Sequence, residues 1–140
     1  MPNFDDVNVG DELPPATFPI QRVNLVMYCG ASGDFNPIHW NERFATAVGL
    51  PNVIAHGMLT MAEAGRVLTD YAGDPANVVE YGVRFTAPVV VADDDIGATL
   101  EVTAVVKAKR EEDRCAEIEL TARSNEQKVL GKVHGVVRLT

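Results

Sequence analysis

Cysteine is scarce in this chain: Cys29 and Cys115 are the only two, and they have neither a redox CxxC nor a zinc-ligand spacing. Two cysteines make no disulfide framework, so burial must hold the fold together, and a reducing compartment is expected. Basic residues are also in short supply. Twelve Lys and Arg against twenty Asp and Glu leave a formal net charge of −8, which opposes binding to phosphate backbones or anionic lipid. Neither nucleic acid nor a membrane is an expected partner. No run approaches the roughly 18 apolar residues of a membrane span. The N-terminal Met-Pro-Asn-Phe-Asp-Asp is acidic where a secretory leader is basic, so the expected location is the cytoplasm. Also missing are a GxSxG elbow, a P-loop and a dinucleotide fingerprint, which removes the main support for hydrolase-triad, kinase and dehydrogenase readings.

What the chain does have is the composition of a globular protein. Hydrophobic residues make up 46% and charged residues 23%, too apolar for a disordered chain. Its length predicts a single domain spanning residues 1–140, able to bury about 68–70% of its unfolded surface. Around Gly10, Pro14, Pro15 and Pro19 the sequence allows only a short edge strand. Asn24 reads as the N-cap of a short apolar helix through Leu25, Val26, Tyr28 and Cys29, stopping near Gly30 and Gly33. A second short helix is expected from Asn41 to Val48, ended by Gly49-Leu-Pro51. From Gly57, the residues Met58, Leu59, Met61, Ala62, Ala64, Gly65, Val67 and Leu68 leave only a narrow polar stripe of Glu63, Arg66 and Asp70. That pattern predicts a helix buried on most sides.

After Asn77 the apolar period changes to two. Val79, Tyr81, Val83 and Phe85 share one face of a first strand, and Leu100, Val102, Ala104 and Val106 one face of a second. A third carries Ala116, Ile118, Leu120 and Ala122, and a fourth Val129, Val133, Val137 and Leu139. Turn-forming or charged stretches at 92–97, 110–114 and 124–127 separate them. The plan is α+β, an antiparallel sheet with one long helix on a face. An open sheet edge on so short a chain is commonly covered by a second subunit, so a dimer is expected.

Two clusters can carry chemistry. Asp34-Phe-Asn-Pro-Ile-His39 cannot continue a helix, because Pro37 lacks an N–H and pushes Asn36 out of the α region. A carboxylate and an imidazole on that stiffened turn can face one small volume and hold a water. The same residues also suit an Asx turn, with Asp34 and Asn36 bonding the backbone. The second cluster is His56-Gly57. A helix starting at Gly57 offers unpaired amides at the positive end of its dipole, the outline of an oxyanion site. It is equally an ordinary helix start, and His56 suits either ligand orientation or core packing. Asp34, His39 and His56 could in principle hold a metal, but no HxxxH or HxH pair anchors such a site and none is assigned. His134, on the strand face of Lys132 and Arg138, reads as solvated surface.

The string Tyr28-Cys-Gly-Ala-Ser-Gly-Asp34-Phe-Asn36-Pro37-Ile-His39, with Ala45 beyond it, closely resembles the hydratase-2 motif of MaoC-like (R)-specific enoyl-CoA hydratases. Gly49-Leu50, Ile54-Ala-His56-Gly57-Met58-Leu-Thr60 and Arg84-Phe85-Thr-Ala-Pro88-Val89 follow in that family's order. Within the family the chain resembles the catalytic subunits of mycobacterial-type (3R)-hydroxyacyl-ACP dehydratases of fatty-acid synthase II. The resemblance implies a hot-dog fold, a sheet wrapped around the long helix. It implies that Asp34 and His39 are a catalytic dyad, Asn36 a supporting polar residue and the Gly57 amide the donor to a thioester carbonyl. It further implies an acyl-CoA or acyl-ACP substrate, no metal or redox cofactor, and a homodimer or a heterodimer with a second hot-dog subunit. His56, Met58, Met61 and Val53 are candidates for the substrate wall, although Met at helical spacing also suits plain core. Arg84 is expected to pair with a carboxylate rather than a carrier phosphate. A hot-dog thioesterase and a non-catalytic partner subunit are the competing readings.

Overall fold

A computed structural model of the chain describes residues Met1–Thr140. Its elements run β1 (Glu12–Ile20), α1 (Arg22–Ser32), a 3-10 turn (Pro37–His39), α2 (Glu42–Ala47), α3 (Gly57–Ala72), β2 (Val78–Phe85), β3 (Ala98–Arg110), β4 (Cys115–Ser124), β5 (Gln127–Lys128) and β6 (Leu130–Arg138). The six strands form one sheet in the order β1-β3-β4-β6-β2, with β5 attached to β4, and every pairing is antiparallel. α3 packs against β1, β2, β3 and β6. This is the α+β hot-dog plan that the sequence implied.

The two-residue period places the core. Leu100, Val102, Ala104 and Val106 of β3 are buried, as are Ala116, Ile118, Leu120 and Ala122 of β4. Val129, Val133, Val137 and Leu139 complete that inner face. Against it α3 buries Thr60, Ala64, Val67, Leu68 and Ala72, one stripe at helical spacing. Close approach is needed where helix meets sheet: a Cβ on Gly135 of β6 would overlap Leu68, and one on Gly65 of α3 would meet Tyr81 Cε1 at 2.8 Å.

The expected burial of α3 on most sides is met on one side only. Met58 is 56% exposed and Ala62 is also exposed, because a single curved sheet has one concave face and cannot surround a helix. The neighbouring strand β2 is the sheet's edge, hydrogen-bonded only to β6. β1 is the opposite edge, as expected from its prolines, and its register with β3 shifts between Leu13 and Ala16, across Pro14 and Pro15.

At α1 the structure corrects the sequence reading by one turn. The N-cap is Gln21; Asn24 is the third helical residue, and its side chain reaches back to accept from the Gln21 N–H at 2.7 Å. Asn24 satisfies the same unpaired donors from inside the helix. α1 ends at Gly33, which takes the left-handed conformation with φ 74°. α2 is capped by Asn41, which accepts from the Phe44 N–H at 3.1 Å.

Candidate active site

The turn between α1 and α2 is built by its own polar side chains. Asp34 Oδ1 accepts from the Asn36 N–H at 3.1 Å, and Asn36 Oδ1 accepts from the Ile38 N–H at 3.2 Å. The Asx-turn reading therefore holds, and Asn36 spends its side-chain oxygen shaping the turn. Asp34 has a second oxygen. Oδ2 lies 3.9 Å from His39 Nε2, with the carboxylate half-exposed and the imidazole buried. Thus one turn both folds on its aspartate and presents that aspartate to a histidine.

The state of His39 follows from its neighbour. Nδ1 is 2.7 Å from the main-chain oxygen of Ile54. A carbonyl only accepts, so Nδ1 carries the proton and Nε2 turns a lone pair toward Asp34. Ile54 is held in turn, since its N–H donates to the Ile38 oxygen at 3.1 Å. Two acceptors separated by 3.9 Å are too far apart to bond each other. A water placed about 2.8 Å from each would donate one hydrogen to each.

His56 precedes α3 and is buried. Its ring lies on that of His39, with centroids 3.8 Å apart and planes at 21°. Burial is the main reason its pKa falls below the ordinary histidine value, with His39 adding to the effect. One residue on, the Gly57 and Met58 N–H groups find no acceptor within the chain, as at any helix start that lacks a capping side chain. A Cβ on Gly57 would sit 2.9 Å from Phe85 Cδ1, so a side chain there would require that ring to move.

Asp34, His39, His56 and Gly57 line one cavity of about 490 Å³. Ile38, Ile54, Met58, Phe85, Pro88 and Val89 contribute apolar wall. The cavity thus combines apolar wall with two acceptors and a helix N-terminus. Met58 belongs to it, but Met61 and Val53 do not. The Met61 main-chain oxygen instead accepts from Tyr81 Oη at 2.6 Å, and Val53 is enclosed in the core. Arg84 is exposed and makes no ion pair, contrary to expectation. His134 is on the surface as expected. One contributor escaped the sequence reading: the Ile54 carbonyl leaves no mark in residue type. Phe85 stands in the family-like string Arg84–Val89, but the sequence assigns it no place in the cavity.

Comparison with known proteins places the chain among relatives. A family model described as a MaoC like domain matches residues 7–128. An (R)-specific enoyl-CoA hydratase of Rhodospirillum rubrum is 34% identical over 108 residues, covering 76% of this chain and 74% of that protein. A protein of Mycobacterium tuberculosis named 3-hydroxyacyl-thioester dehydratase X is 40% identical over 82 residues, or 57% of this chain and 28% of the relative. A solved structure titled MaoC-like dehydratase superposes with a TM-score of 0.95 at 42% identity, covering 99% of this chain and 42% of that one. The chain therefore spans well under half the length of two of these relatives.

Proposed function

Given that the chain belongs to the MaoC-like domain family, we propose that it adds water to, and removes it from, acyl thioesters as an (R)-specific trans-2-enoyl hydratase and (3R)-hydroxyacyl dehydratase. The observation that carries this reading is the pair Asp34 Oδ2 and His39 Nε2, two acceptors 3.9 Å apart in the same cavity as the free Gly57 amide. The names of the Rhodospirillum and mycobacterial relatives support it.

In hydration, the two acceptors grip a water and aim its oxygen at C3 of the enoyl thioester. As the C3–O bond forms, the dyad takes one water proton and electron density moves onto the thioester oxygen. The Gly57 N–H, at the positive end of α3, stabilises that oxygen; removing such a donor in other enzymes costs about 2.7–4 kcal/mol. The proton then passes to C2 on the same face, giving syn addition. Dehydration is the reverse.

The thioester itself makes the α-carbon acidic, so no metal or redox group is required. Asp34, His39 and His56 each bring one possible ligand atom within 4.8 Å of the others, but a main-chain oxygen engages one nitrogen of each histidine, Ile54 for His39 and Asp34 for His56, and the proposed reaction asks for no ion there. The substrate is an acyl chain on CoA or on an acyl carrier protein, and fatty-acid elongation is the proposed setting.

The edge strand β2 and the uncovered face of α3 adjoin, and we assign them to contact with a second hot-dog subunit, identical or distinct.

Crotonyl-CoA is the test substrate, with the conjugated enoyl absorbance followed beside release of free thiol. Asp34→Asn and His39→Ala should each slow hydration by about 10²–10⁴-fold while keeping native circular dichroism. Near-wild-type turnover in either overturns the dyad. Thiol release without hydration points to a thioesterase. Silence in both assays, persisting after co-expression with a second subunit, points to a non-catalytic partner.

A further inference from the structure

One buried group in the cavity wall is left without a task by the dyad. His56 is 1% exposed, yet its Nδ1 has no hydrogen-bond partner. Its Nε2 lies 3.1 Å from the main-chain oxygen of Asp34. Because that oxygen only accepts, Nε2 holds the proton and Nδ1 is a bare, buried lone pair. A buried acceptor without a donor is unfavourable, and an apolar ring of similar shape would avoid the penalty. The Nε2–H bond to Asp34 is set against that penalty, so fold stability alone gives no strong reason for an imidazole here.

The surroundings supply one. Cys29 Sγ lies 3.6 Å from the same Nε2, and Tyr28 meets the ring edge-on with centroids 4.7 Å apart. Both residues come from the last turns of α1, so the imidazole is clamped on that side. Its other contact is the stack on His39. Burial keeps the ring neutral, so it adds no second positive charge when its neighbour takes a proton.

We infer that His56 is a positioning residue: its Nε2–H pins the Asp34 main chain while its ring fixes the plane of His39, so the carboxylate and imidazole keep their spacing through turnover. The inference rests on the proposed dyad. His56 acts through Asp34 and His39, and contact with the acyl group is not its task.

Two substitutions divide its contacts. His56→Phe keeps a ring for the stack and loses the N–H; His56→Gln keeps an N–H at similar reach and loses the ring. Each should lower kcat for crotonyl-CoA roughly tenfold or more while KM stays within about twofold. His56→Ala, which lacks both, should fall further. The melting temperature of His56→Phe should stay within a few degrees of wild type, because removal of the orphaned nitrogen offsets loss of the bond to the Asp34 main chain. Wild-type kcat in the Phe and Gln variants, or kcat and melting temperature falling in parallel, overturns the inference.

Asp34→Asn assayed alongside separates the two claims. An active Asp34→Asn removes the dyad itself, whereas an inactive Asp34→Asn beside fully active His56 variants removes only the positioning role. Amide hydrogen exchange over residues 34–39 gives a readout independent of turnover. It should quicken in His56→Ala and be partly restored in His56→Gln; exchange unchanged in His56→Ala overturns the inference.

Discussion

Gly57 has two neighbours that pull a substitution in opposite directions. Replacing glycine by alanine inside a helix stabilises by roughly 0.5–1 kcal/mol, yet the new methyl would stand 2.9 Å from Phe85 Cδ1. Phe85 is half-exposed, so its ring can swing outward at small energetic cost. Gly57→Ala should therefore melt within a few degrees of wild type. Its turnover should drop about tenfold or more, since the methyl and the displaced ring alter the place where the proposed reaction brings a thioester oxygen to the amide. A thermal scan paired with kcat on crotonyl-CoA checks both halves. At this scale the sequence was most informative where residue type singles a position out: Asp34, His39 and a glycine opening a helix all line one cavity. It was blind to the Ile54 carbonyl that fixes the His39 tautomer, because every residue has a carbonyl. It misplaced Met61 because helical spacing specifies a face without saying which neighbour covers it.

Among the elements, the contact between α3 and β6 sustains the site, since it sets where the first turn of α3 lies relative to the sheet. Leu68 is fully buried and seats against Gly135, where any Cβ would overlap it. Leu68→Ala should lose about 2–5 kcal/mol. Gly135→Val should lose about 1–3 kcal/mol or more by forcing helix and sheet apart. Urea titrations of the two variants measure these losses. β3 and β4 were fully legible because their two-residue alternation coincides with burial at eight successive inward positions. The open side of α3 was not, since its apolar residues are the same whether a sheet or a second subunit covers them. Asn24 shows a similar limit. A polar residue one turn into α1 can cap from outside or reach back from inside, and only the path of residues 21–24 decides between them.

For the whole molecule, the proton balance sets a stability window. Burial holds His56 below its ordinary value of 6.5, so near that pH the unfolded chain binds the proton that the native chain refuses. Stability from this group is complete above about 6.5 and is lost as pH falls below it. Tyr81 is pushed up from 10 to about 12 by burial. Its contribution is complete below pH 10 and is lost as pH climbs toward 12. Urea midpoints should therefore be steadiest from about pH 7 to 9, and His56→Phe should lessen the acid-side decline relative to wild type. Assembly is tested by light scattering on the eluted protein. A pair of identical chains should weigh twice 15.1 kDa, and Val79→Lys on β2 should shift that mass toward one chain. A monomeric wild type that gains mass only with a second hot-dog chain would favour the distinct-subunit form.

The prolines of β1 bear on what such an assembly can become. Three of its nine residues, Pro14, Pro15 and Pro19, have no N–H to offer an incoming strand. The β1–β3 register slips beside two of them. The sheet is thus a template with one live end. Two chains joined through β2 would present only blunted margins to solvent, so growth terminates at the pair and a fibre has nowhere to begin.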